Sequence, residues 1–268
     1  MAHVAADPSD FYDERYRHGY YHRELLESGY DACVLTALRW AFGQVRGAGP
    51  VPKTILDLGC GQGRCMAQLA AAFPRARLTG ADVSRVGLAL ARERFPAAEY
   101  LELGDDGVVP ALDASFDLIT MVDVLEHVVD AGSESRALHR RLRPGGWAII
   151  TTPCANRGSI AWLFNLLTSG FETTPDGYGR FATDEPAHLR RLRSRDARAM
   201  LQGAGLRVEA VRWWGHAATA IADNAPGVRR LPLRVRAPFA RLDWRAARRL
   251  PNGAAMLVIA RKPADEGT

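Results

Sequence analysis

Residues 55–64 read ILDLGCGQGR, a short aliphatic run that closes on Asp57 and opens into Gly59, Gly61 and Gly63. An apolar run bounded by glycines is a candidate buried strand, and the glycines beyond it let bare backbone turn tightly and lie in van der Waals contact with a ligand. A dinucleotide site wants G-x-G-x-x-G, the third glycine admitting a closely packed helix. Here Arg64 holds that third position and Gly63 comes one residue early. Asp82 ends a second apolar run, 23 residues after Gly59. A carboxylate there can accept hydrogen bonds from both hydroxyls of a ribose. Capping the next helix is the alternative, although Ser84 is the better cap.

A second constellation lies in FDLITMVDVLEHV, residues 116–128. If a helix begins within it, Asp123, Glu126 and His127 fall at i, i+3 and i+4 and share one face. Two carboxylates and an imidazole suit a hard divalent cation such as magnesium. The alternative is a capping aspartate, with Glu126 and His127 lining a pocket. His188, two residues after Pro186, joins His127 as a candidate general base, since an imidazole titrates near neutrality. A solvated or structural histidine is the competing role for each. Pro153-Cys154 carries no partner Pro-Cys after the preceding strand, where Val122-Asp123 stands, and no G-x-S-x-G elbow is present. Nucleophilic cysteine chemistry and Ser-His-Asp hydrolysis are therefore unsupported.

The D-x-G-x-G-x-G form resembles the first motif of class I S-adenosylmethionine-dependent methyltransferases. FDLITMVDVLEHV, together with LRPGGWAIITTP at 142–153, is similar to the ubiquinone-biosynthesis O-methyltransferase type, and the match runs in order over 54–153. A looser match covers 185–208. The resemblance implies S-adenosylmethionine as cofactor, with Asp57, Gly59, Gly61 and Gly63 around its methionine part and Asp82 on its ribose. It adds Val83 and Val122 as lining residues, and Asp105 or Asp106 against the adenine amine. Tyr16 and Arg39 are the candidates it implies for the cofactor carboxylate. It also implies a divalent metal, possible because relatives carry E-x-x-E-H where this chain has Asp123, Glu126 and His127. The reaction implied is transfer of a methyl group to a hydroxyl of an aromatic or natural-product substrate. A phenol ionises at about pH 10, so His127, His188 or a metal would have to assist. C- or N-methylation, RNA modification and a non-catalytic cofactor-binding module are the rival readings.

These residues need a scaffold, and the chain supplies one. Strand-like runs at 54–58, 77–83, 99–103, 116–122, 147–152, 206–213 and 254–260 alternate with helical patterns, including 64–72 and one beginning at Ser84. The expectation is an α/β fold, a Rossmann-like seven-stranded, mostly parallel sheet with helices on both faces and cap insertions. Residues 1–48 read as an N-terminal helical cap segment, rich in tyrosine, with a helix over 31–45. Residues 49–268 read as the methyltransferase domain, with substrate-side insertions at 153–193 and 215–250, where lids form in open α/β sheets. A chain of 268 residues buries enough surface to fold without staples. Four cysteines without paired spacing, and no long apolar N-terminal run, point to a cytoplasmic protein without a membrane span. The net charge of +5 gathers in 229–249, and arginine outnumbers lysine throughout, which argues against a nucleic-acid track. A small-molecule substrate is expected, and a homodimer stays open.

Overall fold

Near-continuous apolar runs such as LVIA at 257–260 demand burial on both faces, which a sheet between two helical layers provides. The computed structural model describes residues 8–19, 29–104, 116–174, 176–184, 187–225 and 227–264. In chain order the elements are α1 (Pro8–Arg17), α2 (Gly29–Gly47), β1 (Thr54–Leu58), α3 (Met66–Ala72), β2 (Arg77–Asp82), α4 (Arg85–Arg94), β3 (Glu99–Glu102) and β4 (Phe116–Val122). There follow α5 (Ala131–Arg141), β5 (Leu142–Pro153), α6 (Ile160–Leu167), β6 (Phe171–Thr173), β7 (Gly179–Phe181), α7 (Ser194–Gly203), β8 (Arg207–Trp214), α8 (Ala217–Asn224), α9 (Leu233–Ala247) and β9 (Ala255–Arg261).

The main sheet has seven strands in the order β3-β2-β1-β4-β5-β9-β8, as expected for a Rossmann-like fold. All pairs are parallel except those of β9, which runs antiparallel to β5 and β8. Alternation along the strands divides the core. Ile55, Leu118, Ile149, Leu257 and Ile259 pack with residues of α2, α3 and α9, whereas Leu56, Ile119, Ile150 and Val258 pack with residues of α5 and α7. The chain leaves β1 toward β2 on one side and β4 flanks it on the other, so a switch point opens at the carboxyl end of β1.

Two helices begin later than the sequence pattern suggests. Gly63 has φ +85°, which a right-handed helix cannot include, so α3 starts at Met66 and Arg64 lies in the turn. After β4 no helix begins at Asp123. Its φ is +54°, and the buried Arg190 donates to the carbonyls of Leu125, Val128 and Val129 that a helix would use internally. The helix waits for Asp130, whose side chain accepts from Ser133 N and caps α5. The i, i+3, i+4 face expected for Asp123, Glu126 and His127 therefore does not exist.

The insertions take definite form. The first holds α6 and the β6–β7 hairpin, and a bridge between Cys154 and Leu192 returns it to β5. The second holds α8 and α9, with α9 packed along α2 through Trp244 and Trp40. Within the N-terminal segment, α2 buries Cys33, Leu38, Ala41 and Phe42 in the first core, and α1 lies against α4.

Candidate active site

Asp57 stands at the end of β1 between Gly80 and Thr120 of the neighbouring strands. It is 1% exposed, and Thr120 Oγ1 donates to its Oδ1 at 2.6 Å, while Oδ2 is buried with no hydrogen-bond partner. Burial, relieved in part by Thr120 and reinforced by the charge of Asp82, pushes the carboxyl up to about 7. A carboxylate oxygen left so is costly, and an ammonium group is what would satisfy it. The methionine part of S-adenosylmethionine carries such a group, so the residue present fits the expected cofactor.

The glycine turn starts with Gly59 N donating to Ala81 O at 2.7 Å. Gly59, Gly61 and Gly63 all have positive φ. At each of them a neighbour fills the space a Cβ would need, the Tyr16 hydroxyl at Gly61, Val124 at Gly59 and Phe95 at Gly63, so only bare backbone fits the loop. Gly61 N donates to Asp82 Oδ2 at 2.7 Å and Ser84 N donates to Oδ1 at 2.9 Å. Each oxygen keeps a second lone pair with which to accept a ribose hydroxyl. Ser84 itself caps α4 by accepting from Gly87 N. Val83 and Val122, both half-buried, pack against the two cores beside this crevice.

Beyond β4 the chain separates the residues of the second constellation. The Asp123 carboxylate accepts from Thr151 Oγ1 at 2.8 Å and from Tyr30 Oη at 3.3 Å. Glu126 is 1% exposed; Thr152 Oγ1 donates to its Oε2 at 3.1 Å and its Oε1 has no partner. Burial, and then the neighbouring charge of Asp123, push the Glu126 carboxyl well above the usual range. His127 Nδ1 lies 2.8 Å from Ala187 O; a carbonyl only accepts, so Nδ1 is the donor, and the neutral form of the ring is the tautomer with its lone pair on Nε2. The His188 ring lies 4.8 Å from that of His127. Donor atoms of Glu126, His127 and His188 come within 4.8 Å of one another, and Asp123 is not part of that cluster. One carboxylate and two imidazoles match magnesium poorly, because magnesium favours oxygen ligands and imidazole suits softer metals.

The first helix spans both halves of this crevice. Tyr16 covers Gly61 and Gly87, and Tyr12 meets the His127 ring edge-on at 5.9 Å. Asp13 anchors the helix, accepting from Ser84 Oγ at 2.6 Å and Val86 N at 3.0 Å. Arg39 is exposed and donates to Gln68 on α3 at 2.8 Å; at the loop itself Arg64 is ion-paired with Asp31, and Arg94 donates to Gln62. Asp105 and Asp106 lie outside the described residues.

Several site residues carry no mark in the sequence. Thr120 matters through strand register, Arg190 through three carbonyls distant in the chain, and Asp13 through a helix terminus some seventy positions away. The Y-x-x-x-Y spacing of Tyr12 and Tyr16 was the available signal for α1, since it puts both rings on one helical face.

A family model described as a methyltransferase domain matches residues 30–211. The chain is 36% identical over 127 residues to the ubiquinone biosynthesis O-methyltransferase of Pseudomonas paraeruginosa, an alignment covering 45% of this chain and 52% of that protein. The chain thus spans about half the length of the curated relatives it matches. Among solved structures, an S-adenosylmethionine dependent methyltransferase from Mesorhizobium loti superposes with TM-score 0.50 at 22% identity, covering 82% of this chain and 96% of that one. A chain from the complex of a Haloferax volcanii methyltransferase activator with a methyltransferase gives TM-score 0.58 at 18% identity, over 97% of this chain and 99% of that one. Both superpositions speak for the fold alone.

Proposed function

Because the chain belongs to the methyltransferase domain family, we propose that it transfers a methyl group from S-adenosylmethionine to a hydroxyl oxygen of a small aromatic or natural-product acceptor. Bound S-adenosylmethionine supplies an electrophilic methyl group on a sulfonium. Asp57 Oδ2 would receive its ammonium, the loop at Gly59, Gly61 and Gly63 its methionine part, and Asp82 the ribose hydroxyls. Val83 and Val122 would line that pocket, Asp105 or Asp106 would meet the adenine amine, and Tyr16 and Arg39 are the candidates for the cofactor carboxylate, with Arg64 beside the loop.

The observation that carries the reading is the pair of imidazoles, 4.8 Å apart, beside the buried Glu126. An acceptor hydroxyl needs to lose its proton as its oxygen bonds to the methyl carbon and the carbon–sulfur electron pair returns to sulfur. With Nδ1 donating to Ala187 O, His127 Nε2 is the atom that would take that proton, with the His188 ring beside it. Tyr12 and Tyr16 would exclude water from the two ends of the site, and holding the acceptor in line contributes several kcal/mol of order. A metal held by Glu126, His127 and His188 is the second reading of the same cluster. The unpartnered Glu126 Oε1 favours it, and the donor set points away from magnesium.

The test is turnover with labelled S-adenosylmethionine against phenols, catechols and amines, with and without a chelator. Transfer to hydroxyls that falls by about a hundredfold or more in kcat in His127→Ala, with cofactor affinity kept, is the expected result. Transfer confined to amines, or wild-type kcat in that variant, overturns it; chelator-sensitive turnover would favour the metal.

A further inference from the structure

On α9 one face is occupied: Ala237, Ala240 and Trp244 are buried in the first core, with the Trp244 ring tilted against those of Trp40 and Trp214. Opposite it, Val235, Phe239 and Leu242 recur at helical spacing, and Leu231 before the helix continues the line; all four are between 42% and 59% exposed. Arg234, Arg241 and Arg245 follow the same period along one flank of that stripe, all exposed. Asp243 is the acid of this helix, and it is buried and bonded to His216.

We propose that this face of α9 is a docking surface for an anionic lipid bilayer. The charge pattern decides among occupants. A second copy meeting this face with its helix antiparallel about a twofold would set arginines against arginines, and the acid of this helix, Asp243, is buried. Nucleic acid would engage the arginines and leave the apolar stripe in water. An interfacial lipid site uses both, with guanidinium groups at anionic headgroups and Val235, Phe239 and Leu242 at the acyl boundary. Among the described residues no helix is long and apolar enough to cross a membrane, so the contact is peripheral. The surface would hold the enzyme where amphiphilic molecules gather, whatever its active site transfers.

The experiment mixes the intact 268-residue chain with vesicles of equal parts phosphatidylglycerol and phosphatidylcholine, and with vesicles of phosphatidylcholine alone, and reads the sedimented fraction. Binding is expected for the anionic vesicles and not for the neutral ones. It should fall about fivefold for each arginine lost in Arg234→Gln, Arg241→Gln and Arg245→Gln, and roughly tenfold in a Phe239→Ser, Leu242→Ser variant. Raising salt should remove the arginine part. These side chains are exposed, and unchanged circular dichroism and cofactor affinity verify that the variants fold. No binding to anionic vesicles at low salt overturns the proposal, as does binding that neither set of substitutions weakens. A dimer in solution that Phe239→Ser separates would assign the face to a second copy, and RNA binding lost with the arginines but not the apolar residues would assign it to nucleic acid; either refutes it.

Discussion

Asp57 shows how one residue links burial to binding. Its neighbours supply one hydrogen bond where a buried carboxylate can use several, and its carboxyl titrates at about 7 in consequence. An acid whose folded value is raised holds its proton more tightly folded than unfolded. The free protein should therefore lose stability as pH rises from about 4 toward about 7. A bound ammonium favours the carboxylate and reverses the preference. Calorimetry of S-adenosylmethionine binding in buffers of different ionisation enthalpy should show a proton released below about 7 and none well above it, and Asp57→Asn should abolish the release. Cofactor affinity independent of pH in the wild type would refute this ammonium site. The residue itself was legible, because Asp57, its glycines and Asp82 follow directly from strand ends. Thr120 was not, since strand register alone makes it the partner of Asp57.

At the level of elements, the turn after β4 is held from outside itself. Arg190, 2% exposed, gives its guanidinium to the carbonyls of Leu125, Val128 and Val129 and pairs with Asp176 of the first insertion. Leu189 N donates to Glu126 O at 2.9 Å on the same turn. The insertion and the turn thus assemble together, and they carry His188 and His127 respectively. Arg190→Met, which keeps the stem but loses these bonds, should destabilise the protein by about 3 kcal/mol. It should also speed amide exchange at Leu189. A loss below about 1 kcal/mol would mean that the turn holds its shape unaided. Strand positions were readable here because buried strands leave apolar runs, and each lies within a few residues of its expected bounds. The turn was not, because a left-handed Asp123 and a remote arginine outweigh the helical spacing of Asp123, Glu126 and His127.

Across the whole molecule, the second insertion is joined to the end of β8 by His216 and Asp243. Asp243 accepts from both the backbone N–H and the ring of His216, and His216 Nε2 reaches Leu250 O at 3.2 Å. Burial opposes the charge on the imidazole, but these bonds together outweigh it and raise the histidine above 6.5. Burial likewise opposes charge on Asp243, and the His216 bonds hold it below the usual range. The stabilisation of the pair is complete between the ordinary carboxylate value of 3.8 and the ordinary imidazole value of 6.5, and is lost as pH rises through the raised histidine value or falls through the lowered Asp243 value. The melting temperature should fall over that upper window, and Asp243→Asn should remove the fall while costing about 3 kcal/mol. A wild-type melting temperature that is flat there would count against the pair. Sequence alone determined the sheet, its glycine turn and the acidic residues at the ends of β1 and β2, since these depend on apolar periodicity and on backbone freedom at neighbouring positions. Tertiary structure decided which histidines meet, that Asp123 turns from Glu126 to Thr151 and Tyr30, and that α9 presents its apolar stripe outward. Those outcomes depend on strand register, left-handed backbone and the choice of buried face, and they join residues tens to hundreds of positions apart that local pattern does not connect.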